Sequence, residues 1–161
     1  MHHIRLDLNP VPASRPRVSR FATYYGKRHQ EFRKRAIELL LQKQAKKLLT
    51  PKLEGQLLLW VRLKIQKPKT TKLLSPRGDI DNYLKLLMDC CNNIVWNDDV
   101  QVVKICATKE FSKTSGSIDF WVKELTNETL QTTQPENVDL ESLKKQGFNF
   151  CDGSVITLSN Q

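Results

Sequence analysis

Between Arg77 and Val103 the chain reads RGDIDNYLKLLMDCCNNIVWNDDVQVV, which crowds Asp79, Asp81, Asp89, Asp98 and Asp99 into one stretch of a protein with formal net charge +9. Carboxylates held together repel one another and take up protons unless a cation neutralises them. Several hard oxygen ligands in one place suit Mg²⁺ or Mn²⁺. On a basic protein such an ion has a use in phosphodiester hydrolysis, where a metal activates water and stabilises charge on the leaving oxygen. Lys85 lies one helical turn from Asp81 and one from Asp89, so its ammonium can offset charge, orient a carboxylate or meet a phosphate.

Plainer roles compete. An aspartate at a helix start caps exposed backbone N–H groups, Asp81 with Lys85 has the spacing of an intrahelical ion pair, and Asn97-Asp98-Asp99 has the composition of a turn. Whether the two acidic ends of the segment converge is a tertiary question that spacing leaves open.

The elements that must position these residues follow from periodicity. Ile80, Tyr83, Leu84, Leu87, Met88, Cys91, Ile94 and Val95 recur at steps of three and four, predicting a helix from Ile80 to Ile94. A second, basic amphipathic helix is expected from Gln30 to Leu49, ahead of Pro51. Alternating apolar residues predict strands in HIRLDL near the start, in QLLLWVRLKI (56–65), in VQVVKICATKEF (100–111) and in SIDFWVKEL (117–125). The last two are separated by Ser112–Ser117, whose Gly116 suits a hairpin. Two basic loops connect them, PVPASRPRVSRFATYYGKRHQ and QKPKTTKLLSPRG. The order strand, loop, helix, strand, loop, helix, strand, strand predicts an α+β fold, a small mixed or antiparallel sheet packed with two main helices.

Composition bounds the rest. A chain of 161 residues is one domain's worth. The expected division is a folded body over 1–125 and a polar appendage over 126–161, with one short helical candidate at Val138–Gln146. The body holds 24 Lys and Arg against 12 Asp and Glu, and the remainder 2 against 5. A basic body marks a polyanionic partner, or else a diffuse positive surface. No apolar run approaches the roughly 20 residues of a membrane span, and the opening lacks the apolar centre of a signal peptide, so a cytoplasmic protein is expected. Cys90, Cys91, Cys106 and Cys151 have no C-x-x-C spacing and read as reduced, packing thiols. His2, His3 and His29 are too scattered for a triad or a metal site. Trp96 reads as a core anchor, and Trp60 and Trp121 as core or interface.

At the central segment a resemblance becomes specific. DIDNYLKLLMD followed by VWNDDVQVV resembles the signature of the RusA-type Holliday junction resolvases, D-x-D-N-x-x-K-x-x-x-D and then W-x-D-D-x-Q-V, and the proline-spaced PVPASRPRV resembles that family's basic N-terminal motif. The resemblance implies metal-binding aspartates at Asp79, Asp81 and Asp99 and an active-site lysine at Lys85, with Asp89 and Asp98 secondary. It implies a homodimer of the type often carried by phages and prophages, acting on four-way DNA junctions with Mg²⁺ or Mn²⁺ in recombination and repair. Arg15, Arg17, Arg20, Lys27 and Arg28 in the first loop are then candidate phosphate contacts, with Phe21, Tyr24 or Tyr25 stacking on exposed bases. Lys67, Lys69, Lys72 and Arg77 form a comparable patch in the second. A less selective nuclease for flaps or forks is the neighbouring alternative. A non-catalytic junction-binding protein, in which the acids only cap a helix, is the distant one.

Overall fold

The computed structural model describes residues 1–126 except 19, 21 and 50, with the backbone alone at 17 and 23. The Val138–Gln146 helical candidate, Cys151 and Phe21 lie outside the described residues. In chain order the elements are β1 (His2–Leu6), β2 (Arg17–Val18), β3 (Thr23–Tyr24), α1 (Lys27–Ala45), β4 (Leu57–Gln66), α2 (Ile80–Cys91), a 3₁₀ turn (Asp99–Gln101), β5 (Val102–Ser112) and β6 (Ser117–Glu124). The result is the expected α+β fold: a four-stranded mixed sheet in the order β1-β6-β4-β5, with two helices.

The sheet is organised around β4. It pairs with β5 in parallel and with β6 antiparallel, and β6 pairs antiparallel with β1. The expected β5–β6 hairpin does not form, because β4 lies between the two strands. Short turns favour hairpins only when no third strand competes for both edges, and the nearly unbroken apolar run of β4 makes it that competitor. β4 is accordingly buried on both faces over Leu57–Val61, where the alternating pattern predicts a strand buried on one face.

Leu57, Leu59, Val61, Leu63 and Ile65 of β4 join Ile4, Leu6, Ile118, Phe120 and Val122 as the sheet's contribution to the core. Phe32, Ala36 and Leu40 of α1 and Tyr83, Leu84, Leu87 and Cys91 of α2 cover them. Trp96 is fully buried and donates Nε1–H to Asn92 Oδ1 at 2.8 Å, which anchors the chain leaving α2. Trp60 and Trp121 are buried on the opposite side of the sheet, in register with each other, and Trp121 stacks on His3 with ring centroids 4.4 Å apart.

Both helices end earlier than their apolar periodicity. In α1, Lys47 adopts a left-handed conformation (φ 55), Leu48 N–H bonds Lys43 O at 2.9 Å, and Lys47 N–H bonds Gln44 O at 2.9 Å, a Schellman closure without glycine. In α2, Asn93 is left-handed (φ 64), a conformation asparagine tolerates better than most residues. Leu49 beyond the first stop and Ile94 and Val95 beyond the second still pack against the core, which is why periodicity alone overshoots, whereas Leu48 is exposed. At the other end α1 begins at Lys27, so Lys27 and Arg28 belong to its first turn and not to the expected loop.

Candidate active site

The acidic segment spans a β4–α2–β5 connection, which puts its two halves at opposite ends of α2. Asp79 is the N-cap residue, yet its side chain makes no capping hydrogen bond. Asp81, in the first turn, forms no ion pair with Lys85, and both side chains are exposed. Neither plain role proposed for these two carboxylates is therefore filled. The backbone delivers them through Gly78, whose φ of +88 disfavours any side chain and whose Cα lies where a Cβ would meet the Tyr83 ring at 3.3 Å. Tyr83 O–H donates to Arg77 O at 2.9 Å, and Lys109 Nζ donates to Gly78 O, so the approach to Asp79 is held from two sides.

The other half divides differently. Asp98 is a structural residue: its carboxylate accepts from Val100 N–H at 2.9 Å and caps the 3₁₀ turn. Gln101 completes that cap, its Oε1 accepting from Asn97 N–H (2.8 Å) and Asp98 N–H (3.0 Å) while Nε2 donates to Gly55 O (2.9 Å) and Leu53 O (3.2 Å). Two of the motif's polar residues are thus spent on the turn and on pinning it to the Leu53–Gly55 segment. Asp99 is left facing the C-terminal end of α2. Its carboxyl is pushed above the usual carboxylate range, first by burial, then by a hydrogen bond and charge from Asp98 and by charge from Asp89, with an Asn92 hydrogen bond opposing.

Asp99 therefore neighbours Asp89 and Asn92, whereas Asp79 and Asp81 sit at the far end of the helix. Asp81 and Asp89 are eight residues apart, about 12 Å along the axis. Among the described residues no three His, Cys, Asp or Glu side chains are placed to hold a metal ion. Mg²⁺ takes oxygen ligands at about 2.1 Å in near-octahedral geometry. One chain does not offer the Asp79, Asp81, Asp99 set to such an ion. Lys85 lies between the two ends, on the same face of α2 as Asp81 and Asp89 by its i, i+4 spacing.

The cations gather at the Asp79 end. The first basic segment is tied there by Ala13 N–H to Asn82 O (2.8 Å), and the second, Lys67 to Arg77, runs directly into it. Arg28, at the start of α1, is close enough to Tyr83 to draw its phenol downward against the upward push of burial. Lys27 pairs weakly with Glu31 at 3.8 Å; Arg15, Arg20 and Lys69 are exposed; Lys67 Nζ sits 5.6 Å from the Phe111 ring centre; Lys72 and Arg77 line a cavity with it. The Arg17 side chain lies outside the described residues.

The Asp89 end has a cavity of about 430 Å³ lined by Tyr25, His29, Arg33, Ile37, Asp89, Asn92 and Asn93. Sequence reasoning assigned neither His29 nor Arg33 to a site; their i, i+4 spacing on α1 was the available signal. His29 is buried and stacked on Tyr25 (centroids 4.3 Å apart), and its Nδ1 accepts from Ser14 N–H at 3.3 Å. Burial and Arg33 hold its pKa below the ordinary value, with Asp89 pulling the other way. Burial likewise pushes the Cys90 thiol up to about 12 and the Cys91 thiol well above its ordinary value, as expected of packing cysteines.

The model of the family described as endodeoxyribonuclease RusA matches residues 7–119, from just after β1 to the first residues of β6. The chain belongs to the RusA endodeoxyribonuclease family. No curated protein matches it. The RusA match takes in both acidic ends of α2, Lys85, both basic segments and the cavity beside Asp89. Among the described residues no helix is long and apolar enough to cross a membrane.

Proposed function

We propose that the chain is a Mg²⁺-dependent endodeoxyribonuclease that cuts four-way DNA junctions as a homodimer, with residues 1–125 as the nuclease unit and 126–161 as an appendage. Mn²⁺ is the expected substitute metal. The observation that carries this reading is the state of Asp79 and Asp81. They are exposed carboxylates at the meeting point of two cationic segments, and neither helix capping nor an intrahelical ion pair accounts for them. Two negative charges beside a phosphate-binding surface oppose DNA binding by themselves, so their presence there calls for chemistry rather than adhesion.

The dimer supplies what one chain lacks. A two-fold axis perpendicular to α2 sets the helix of one protomer antiparallel to that of its partner. Asp79 and Asp81 then approach Asp99 of the partner subunit, and the arrangement occurs twice. The edge of β5 fits such an axis: among the described residues β5 is an edge strand, with Val103 and Ile105 exposed along it and Val100 exposed in the 3₁₀ turn before it. Two symmetric sites match the two strands of a four-way junction that must be cut. Within each site the chain's own contribution is positional: the Arg15–Arg28 and Lys67–Arg77 segments hold backbone phosphates, and Lys85 presents its ammonium between the acidic ends.

The test is cleavage of a labelled four-way junction with and without Mg²⁺, compared with fork and linear duplex. Asp81→Asn is expected to abolish cleavage and leave junction binding intact. Unchanged cleavage in that variant, or equal cleavage of duplex and junction, overturns the reading.

A further inference from the structure

The least explained surface feature is a leucine. Leu74 is 99% exposed at the tip of a loop that is otherwise cationic, KPKTTKLLSPRG, with no acidic residue from Lys67 to Gly78. An isolated exposed leucine on a protein surface is ordinary. Here it has a built setting. The loop is fastened at its start by Lys67 N–H to Ser112 O (3.0 Å), turned by Thr71 N–H to Pro68 O (3.2 Å) and braced by Leu73 N–H to Thr71 Oγ1 (3.3 Å). Pro76 is buried and Tyr83 O–H holds Arg77 O at its end, so the tip is presented from two fixed feet.

Beside the tip lies a cavity of about 590 Å³. Ile65, Leu73, Tyr83 and Phe111 line it, together with the polar Thr70 and Thr71 and the cations Lys72 and Arg77. That is within the size range of pockets that take small aromatic ligands. An apolar wedge next to an aromatic pocket, framed by phosphate-binding cations, is the combination by which proteins open a base step and hold what they displace.

We propose that the Lys67–Gly78 loop reads the branch point: Leu74 enters the base step exposed at the crossover, and the displaced base stacks in the Ile65–Tyr83–Phe111 pocket. The occupant is an unstacked base of branched DNA, selected by the cations around the pocket and by the absence of any acid within the loop. Linear duplex resists the wedge because its steps are stacked on both sides, whereas the bases at a crossover are already partly unstacked. The loop ends at Gly78, so insertion at the branch brings Asp79 to the adjoining phosphates. This rests on the four-way-junction reading and adds the means of discrimination.

The experiment uses the full chain without divalent metal, so that binding occurs without cutting, and a four-way junction carrying 2-aminopurine at the crossover. Wild-type protein is expected to raise the fluorescence about threefold as the base leaves its stack. Leu74→Ser is expected to leave the signal near that of free junction, and to lower the preference for junction over linear duplex about tenfold with duplex affinity unchanged. Leu74→Met restores both, and Phe111→Ala loses the preference while keeping duplex affinity. A Leu74→Ser protein matching wild type in signal and preference overturns the wedge, and an unchanged Phe111→Ala removes the pocket. If wild type itself does not discriminate junction from duplex, the function proposed above fails and the wedge falls with it.

Discussion

Two inactive variants should make one active enzyme. Asp81→Asn removes a carboxylate at the start of α2, and Asp99→Asn removes one beyond its end, beside Asp89. Along the helix axis the Asp81 and Asp89 positions are about 12 Å apart at about 1.5 Å per residue. Oxygens sharing one Mg²⁺ at about 2.1 Å each lie no more than about 4.2 Å from each other. Asp99 lies beside Asp89, and side-chain rotation does not close that gap within a packed helix, so on the dimer reading proposed above the two carboxylates come from different protomers. Each variant alone then has two dead sites. In a mixed dimer one site carries both substitutions and the other carries neither. Random exchange in an equal mixture makes about half the dimers mixed, each with one intact site, so about one quarter of wild-type sites return. The assay is nicking of a labelled junction in Mg²⁺ by each variant and by the mixture, with native mass spectrometry reporting the mixed dimer. The mixture should nick single strands without resolving the junction into paired products. Mn²⁺ binding followed by electron paramagnetic resonance without DNA should rise in the mixture over either variant. If wild type cuts and the mixed dimer forms but remains as dead as its parents, each protomer holds a complete site and the dimer argument is wrong.

Three further outcomes follow from the same geometry. Lys85→Ala should slow single-turnover cleavage at least tenfold with junction affinity nearly unchanged, because the side chain stands between the acidic ends rather than in either cationic segment; equal losses in rate and affinity would contradict this. Lys69→Ala and Lys72→Ala should each reduce the slope of log affinity against log salt by about one, as for loss of one phosphate contact, and an unchanged slope would remove that lysine from the DNA surface. Stability should fall with acid through His29: burial lowers its folded pKa, so its full contribution is present above the unfolded value of about 6.5 and is lost as pH drops from there toward the folded pKa. The urea midpoint of wild type should decline from about pH 8 to about pH 5 more than that of His29→Gln, and parallel declines would show that folding does not lower the His29 pKa.

Much of the candidate site was legible because its parts are local. Asp79, Asp81 and Lys85 share one helix start, and a loop closed by Gly78 followed by an apolar stripe announces that start. Asn97-Asp98-Asp99 was readable as a turn for the same reason, since Asp98 bonds within two residues of itself; Gln101, expected in the strand, joins that turn and also reaches Leu53 and Gly55, which no local pattern encodes. His29 and Arg33 were not readable: they reach the Asp89 end only because α1 packs against α2, a contact that leaves no periodic trace in either helix. The capping role weighed for Asp79 and the ion pair weighed for Asp81 and Lys85 were also open on spacing alone. Side-chain direction, not residue type, leaves both unfilled.

The sequence by itself determined the element types, the α+β class and the pairing of an acidic segment with a basic body, because hydrophobic period and turn chemistry act over a few residues. Only the tertiary structure decided which strands are neighbours. β4 captures both β5 and β6 because its apolar run is satisfied only when both faces and both edges are covered, and no turn between β5 and β6 encodes that competition. The same parallel β4–β5 pairing sends α2 back along the sheet and separates Asp79 and Asp81 from Asp99 by the length of the helix. Charges close in sequence are thereby held apart in one chain, since a helix is a rigid spacer whose length is set by the strands it must span.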